Sequence, residues 1–259
     1  MTTMRGTAAP PVTAPGTAPP PTTTPETAPP APGQRRPWVR RRGELGDHVA
    51  RLVGGLQARC LREPPDPEVV GALARLRRGI GQVPGFDYTL DHYLHVPEEL
   101  LGHRPDNDAE PTDAEHAVHD AVTLYALHQQ SRREPMHADR RGLGMAVAAL
   151  VRATDGPEGV RRRFAALGTA STYAESIHHL RGLVTMLREQ HIALDYGLLA
   201  DDLRTLRQPG GRARVQSGWG REFFRSRPAA ESADPHADAV PDTDPAPDAA
   251  GPTRHSEEN

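Results

Sequence analysis

The chain has 259 residues, a formal net charge of −3 and a single cysteine, Cys60. One cysteine excludes a disulfide framework or a zinc site built from several thiolates within the chain. No apolar run reaches the length of a membrane-spanning helix, and the N-terminal residues lack the apolar segment of a signal peptide. We therefore expect a soluble, cytoplasmic protein without membrane contact.

The composition changes abruptly near both ends of the chain. Residues 1–33 are almost entirely Ala, Pro, Thr and Gly, and residues 228–259 are rich in Pro, Ala and Asp, with eight acidic residues and one arginine. Neither segment can bury enough apolar surface to offset the entropy lost on ordering, so both are predicted to be disordered tails. Residues 35–227 carry 29 arginines and 25 acidic residues, which makes the folded part mildly basic.

The first predicted elements follow a basic segment. Five arginines surround Trp38 in residues 35–42, a pattern that can hold phosphates and stack on a base, or can equally be a solvated lead-in whose tryptophan packs on the protein. Apolar residues from Leu45 to Cys60 then recur at helical spacing, and Asp66 is positioned to cap a second helix. Residues 84–102 combine turn formers with aromatic and aliphatic residues, which favours short helical turns packed on a bundle.

Strong helix-start signals mark the second half of the chain. Thr112 with Glu115 and Thr172 with Glu175 have the spacing of capping boxes, and Asp195 is positioned as another N-cap. Between residues 159 and 206 apolar side chains recur every three or four positions through three consecutive helices. These local signals agree with one another and predict an all-α helical bundle.

Arginines lie off the apolar stripes of these helices in five clusters: 35–42, 75–78, 132–141, 161–163 and 212–227. Arg161, Arg162 and Arg163 fan around one short helix, while Arg181 and Arg188 lie on the polar side of the next. Taken singly, each cluster is typical of a solvated helix face. Several on one surface would form an electrostatic track for a phosphate backbone.

The sequence offers little for catalysis. Glu115, His116 and His119 could face one way on a helix, but a di-metal bundle site needs a second Glu-x-x-His unit, and none is evident. A glycine-rich phosphate loop, a nucleophile elbow and a Cys–His nucleophile pattern are also missing. We expect no catalytic residue, no metal and no cofactor.

Several short motifs, in order along the chain, resemble those of the CasB family, the small subunit of the type I-E CRISPR surveillance complex Cascade. They are ARLRRG at 74–79, RGLG at 141–144, RRRF at 161–164, HLR at 179–181 and LDY at 194–196. The resemblance spans roughly residues 43 to 225. It implies a two-lobed helical protein without catalytic activity, here with lobes at 34–136 and 137–227.

The resemblance also implies partners and a site. Two copies would pack together within Cascade beside its other subunits. Their basic surface would steady guide RNA with the target strand and guide the displaced DNA strand of the R-loop, through backbone contacts while base pairing reads the sequence. Arg78, Arg162 and Arg181 match the family's basic sites, followed by Arg77 and Arg161, and Arg163 completes the predicted nucleic-acid-binding set.

Two other functions fit the sequence. A helical adaptor that binds only protein would use its arginines in interfacial ion pairs and would show no salt-sensitive affinity for nucleic acid. A bundle metalloenzyme would use Glu115, His116 and His119, and would retain stoichiometric metal through purification.

Overall fold

The computed structural model describes residues 40–103, 105, 107 and 110–226. The predicted tails, 1–33 and 228–259, lie outside the described residues, as does Trp38. Within the described part the α-helices are α1 (Glu44–Leu61), α2 (Pro67–Leu76), α3 (Asp91–Leu94), α4 (Glu98–Leu101), α5 (Asp113–His128), α6 (Leu143–Ala153), α7 (Glu158–Thr169), α8 (Tyr173–Glu189), α9 (Tyr196–Arg207) and α10 (Gly211–Arg225). Single 3₁₀ turns lie at Arg77–Gly79 and Tyr88–Leu90.

The all-α prediction is confirmed. In the described ranges, pairing of the β type is limited to one isolated parallel bridge between His137 and Leu194. Helices on either side of residue 136 pack against each other, including α5 with α8 and α9, and α1 with α9. The division into lobes at 34–136 and 137–227 stays a prediction.

Helix α9 lies at the centre of the bundle. It contacts α1, α5 and α10, and every residue from Tyr196 to Ala200 is buried. The Tyr196 hydroxyl lies 2.9 Å from Nδ1 of His128 on α5, and the two rings meet edge to face. The apolar stripe read from the sequence therefore faces the core, and a buried polar pair fixes the register between α5 and α9.

Capping side chains begin four of the helices, α2, α5, α8 and α9, where the sequence predicts. Thr112 and Glu115 form a reciprocal capping box at α5, while Asp66 and Asp195 accept backbone hydrogen bonds at the first turns of α2 and α9. At α8, Thr172 accepts from Glu175 N as expected, but the Glu175 carboxylate accepts from Ser171 N at 2.8 Å, one residue outside the predicted box. These caps satisfy amide groups that the helices leave unpaired.

Helices α6 and α10 approach closely because glycine faces the contact. A Cβ on Gly144 would overlap the carbonyl oxygen of Trp219, and the Gly144 amide donates to Glu222 at 3.0 Å. The close approach therefore depends on the absence of a side chain at Gly144, and Trp219 and Phe223 of α10 are buried against the bundle.

An N-terminal clamp, made by Arg40 and Arg42, ties the start of the described chain to α9 and α10. Arg40 pairs with Asp202 and Glu222, and Arg42 pairs with Asp195 and Asp139. These two arginines of the 35–42 cluster are therefore committed to ion pairs inside the fold, whereas Arg41 between them is exposed.

The turn-rich stretch between α2 and α5 forms the short helical turns that the sequence predicts. Tyr93 is buried, and Phe86 meets the His119 ring edge to face at 5.5 Å, so these two aromatics pack on the bundle. Tyr88, in contrast, is 86 % exposed.

Among the helices that the structure describes, none combines the length and the apolar character that a membrane span requires.

Candidate nucleic-acid interface

The α7–α8 groove unites three of the predicted arginines. It is lined by Arg162, Arg163 and Arg181 with His178 and His179. It consists of two adjoining cavities of about 410 Å³ each, which share Arg163 and His178. Helix α7 buries Val160 and Leu167, and α8 buries Ile177, Leu180, Val184 and Leu187. Packing those stripes inward turns the arginines outward, toward the space between the two helices.

A glycine on α8 opens this groove. A Cβ on Gly182 would overlap the guanidinium of Arg163, so Arg163 lies directly against the α8 backbone. This close approach brings a charge from α7 beside Arg181 of α8. The two helices thus contribute to one concentrated patch of positive charge.

The arginines of the groove are not neutralised. Among the described residues no carboxylate forms an ion pair with Arg162, Arg163 or Arg181, and Glu175 at the edge of the groove lies 3.8 Å from Nε2 of His179. Arg40, Arg42, Arg59 and Arg207, in contrast, are all paired with acids. Because unpaired guanidinium groups favour an external anion, the groove suits phosphate.

The positive surface continues along α8 to a second cluster, Arg77, Arg78 and Arg188. His178, Arg181, Thr185 and Arg188 follow each other at intervals of three and four residues, so they share one face of α8. Burial, followed by the charges of Arg188 and Arg78, lowers the pKa of Arg77. Arg77 from the end of α2 therefore lies near Arg188 at the end of α8.

Arg188 was noted in the sequence but not included in the site. Its Nη1 donates to Gln130 Oε1 at 3.0 Å, and its buried Nε has no hydrogen-bond partner in the described structure. The seven-residue spacing from Arg181 is the sequence signal that would have found it. We call the α7–α8 groove together with Arg77, Arg78 and Arg188 the basic track.

Arg161 is separated from the other five predicted site residues. It lines a different groove, between α7 and α10, beside Phe164 and Phe223. Arg161 lies two positions before Arg163, and such positions on a helix point about 200° apart, so Arg161 faces away from the Arg163 side of α7. The structure brings Arg162, Arg163 and Arg181 together, adds Arg77 and Arg78 at the end of α8, and leaves Arg161 on the opposite side of α7.

The model of the CRISPR-associated protein Cse2 family matches residues 72–224. The chain belongs to the Cse2 family. All six arginines predicted as site residues lie within the matched region, whereas the arginines of the N-terminal clamp lie before it.

Two solved structures resemble this chain. CasB from Thermobifida fusca is 38 % identical, with a TM-score of 0.59, and the match covers 71 % of this chain and 99 % of that one. A chain from a CRISPR RNA-guided surveillance complex shares the fold at 20 % identity and a TM-score of 0.51, covering 70 % and 94 % of the two chains. No curated protein matches the chain.

In this Cse2 chain, the side chains considered for a metal site make structural contacts instead. Glu115 completes the capping box of α5, His119 lies 3.2 Å from Asp120 and packs on Phe86, and His116 meets the Tyr173 ring. In the described ranges no group of three or more His, Cys, Asp and Glu side chains is arranged to hold a metal ion.

Proposed function

We propose that this chain is the small, non-catalytic subunit of a type I-E CRISPR surveillance complex. It acts in the cytoplasm beside the other complex subunits and a second copy of itself. Its basic track holds the phosphate backbone of guide RNA with the target strand and of the displaced DNA strand of the R-loop. Membership of the Cse2 family supports the assignment to a CRISPR system.

The observation that carries the proposal is the unneutralised set Arg162, Arg163 and Arg181 on two packed helices. Arginine stays charged at every physiological pH and donates to phosphate through a planar fork. Rigid helices hold the Cα atoms of these arginines at fixed spacing, so only side-chain freedom is lost when an anion binds. Contacts of this kind bind backbone without reading bases.

The dimensions of the track suit a single strand. Arg181 and Arg188 are seven residues apart on α8, a separation of roughly 10 Å along the axis. At about 3.4 Å per nucleotide of a stacked strand, this interval spans approximately three nucleotides. The groove side chains and the Arg77–Arg188 cluster can therefore contact successive parts of one backbone.

The direct test compares two triple variants of the full chain. Arg162, Arg163 and Arg181 are changed to Ala in one, and Arg212, Arg214 and Arg221, exposed on α10, are changed to Ala in the other. Both remove three positive charges. Affinity for fluorescent single-stranded DNA is measured by anisotropy between 50 and 200 mM salt.

We expect the groove variant to bind more weakly, with a slope of log affinity against log salt that is smaller by about 2, since each lost phosphate contact removes about 0.7. The α10 variant keeps most of the wild-type affinity. Equal losses in both variants would mean that overall charge, and not the groove, attracts the strand.

Membership of a guide complex is tested separately. Tagged protein purified gently from its native host should carry short RNAs that share constant flanks around variable inserts, together with companion Cas proteins. Recovery of protein partners without RNA, combined with no salt-sensitive affinity for nucleic acid, would instead support the helical-adaptor function.

A further inference from the structure

A second groove, between α7 and α10, has a different chemistry from the basic track. It encloses about 320 Å³, in the range of small-molecule sites. Aromatic rings form much of its lining, and small residues keep it open: Phe164, Trp219, Phe223, Phe224, Ala165, Gly168 and Gly220. We call it the aromatic groove.

The rings are arranged to receive a flat apolar partner. The centroids of Phe164 and Phe223 lie 5.2 Å apart with 36° between the planes, and Phe224 meets Phe223 edge to face at 5.4 Å. Phe224 is 65 % exposed, although it follows a buried phenylalanine. Covering such a ring removes apolar area from water, which favours an occupant.

Polar groups at the same groove match a nucleotide. Arg161 and Gln216 supply polar side chains to the lining, whereas the indole N–H of Trp219, also a lining residue, donates to Asp202. Gln216 Nε2 donates to the carbonyls of Leu167 and Ala170, at 3.3 and 3.1 Å, which fixes the amide at the end of α7. A guanidinium beside aromatic rings supplies one contact for phosphate and a stacking surface for a base.

We propose that the aromatic groove binds an unpaired nucleobase of a strand whose backbone lies on the basic track. The base stacks on Phe224 and covers the Phe223 edge, and Arg161 contacts the adjoining phosphate. The inference rests on the proposed function, because the strand must already lie on α7.

Charge complementarity and continuity favour nucleic acid over a protein segment. Arg161 adjoins Arg162 and Arg163 on α7, so one strand crossing this helix, about 10 Å wide, meets the aromatic groove on one side and the α7–α8 groove on the other. A nucleotide supplies a planar base and an anion together. A protein helix docked on the aromatic rings would supply no such anion unless its sequence were acidic.

Two variants remove the site in different ways. Phe224→Ala deletes the stacking surface, and Phe224 is exposed enough for the fold to tolerate the change. Gly220→Leu fills the groove, since a Cβ at Gly220 meets no atom within 4 Å. Gly218→Leu is the matched control, because Gly218 lies on the same helix with the same open surroundings but does not line the groove.

The measurement uses the full chain and single-stranded DNA containing 2-aminopurine, whose fluorescence is quenched when it stacks. We expect wild type and Gly218→Leu to quench the probe. Phe224→Ala and Gly220→Leu should lose the quenching and about tenfold in affinity. On a strand of abasic nucleotides, wild type and Phe224→Ala should bind equally.

The outcomes separate this inference from the proposed function. If Phe224→Ala and Gly220→Leu keep the wild-type affinity and quenching while the Arg162, Arg163 and Arg181 variant loses affinity, the inference is wrong and the proposed function stands. A changed oligomeric state of Phe224→Ala by sedimentation, with unchanged DNA binding, assigns the groove to protein and overturns the inference. Wild-type protein that binds no strand overturns both.

Discussion

The guanidinium of Arg40 hydrogen-bonds to the carboxylate of Asp202, 162 residues further along the chain, with 2.9 Å between Nη1 and Oδ2. Asp202 is buried and also accepts from Trp219 Nε1 at 2.6 Å. Arg40→Ala would leave the carboxylates of Asp202 and Glu222 buried without their cation. We expect a loss of about 3 kcal/mol in the free energy of unfolding, measured in urea. Arg41→Ala, at an exposed neighbour, should change it by less than about 0.5 kcal/mol.

The same variant should show a characteristic pH dependence. Burial raises the pKa of Asp202 and of Glu222, although Arg40 opposes the rise in both. Without Arg40 the rise becomes larger, so protons bind the folded state more tightly than the unfolded state. The deficit of Arg40→Ala should therefore shrink as the pH falls toward 4 and grow as it rises to 7. A deficit independent of pH would contradict the clamp.

Gly144 tests the contact between α6 and α10. A Cβ there would overlap the Trp219 carbonyl oxygen and meet the Phe223 amide nitrogen at 2.8 Å, so two helix backbones would have to separate. We expect Gly144→Ala to lower the free energy of unfolding by about 1–3 kcal/mol. Gly218→Ala on α10 meets no neighbour and should raise it by up to about 1 kcal/mol through helix propensity. Thermal melting of both variants distinguishes the two effects.

Gly182 separates stability from binding. Gly182→Ala replaces a glycine inside α8, which should stabilise the helix by up to about 1 kcal/mol. The new Cβ would displace the flexible end of Arg163 from the α7–α8 groove. The variant should therefore melt at a higher temperature yet bind single-stranded DNA a few-fold more weakly. Unchanged DNA affinity would show that Arg163 makes no contact with the strand.

His128 links stability to acid pH. Burial, and then the charges of Arg188 and Arg132, lower the pKa of His128 to about 3, well below its ordinary value of 6.5. The unfolded chain therefore takes up a proton that the folded chain refuses, and stability falls as the pH drops below 6.5. The slope from this residue approaches about 1.4 kcal/mol per pH unit.

His128→Gln keeps a polar group beside the Tyr196 hydroxyl but cannot titrate in this range. Urea unfolding between pH 6 and pH 4.5 should show a shallower dependence in the variant than in wild type. Burial also lowers the pKa values of His116 and His137, and both residues are present in the variant. Part of the pH dependence therefore remains in both proteins. Parallel curves would mean that His128 is protonated in the folded protein.

The features of the fold that could be predicted are local ones. The cap at Asp195, the box at Thr112 and the three- or four-residue stripes depend on neighbours within one helical turn, so they can be recognised in the sequence. The ion pair between Arg40 and Asp202 could not be predicted, because nothing in either segment specifies a partner so far away in the sequence. The role of Asp202 in the clamp follows from the packing of α9 against the start of the described chain.

The sequence showed which arginines could belong to the candidate site, but not which of them share one surface. Arginines on α7 and α8 were recognised from the sequence, yet which of them share a surface depends on how the two helices pack. Rotation by one residue decides whether Arg161 or Arg162 faces α8, and whether Phe223 or Phe224 is buried. The Gly182 contact with Arg163, which brings the two helices' charges together, is likewise a tertiary feature.

The clamp also brings two distant parts of the chain together. Arg40 touches Glu222, only four residues before Ser226, so the entrance to the bundle and its exit are neighbours. A short linker between these two points would close the chain into a ring, and new ends could then be cut at an exposed turn such as the one at Gly156.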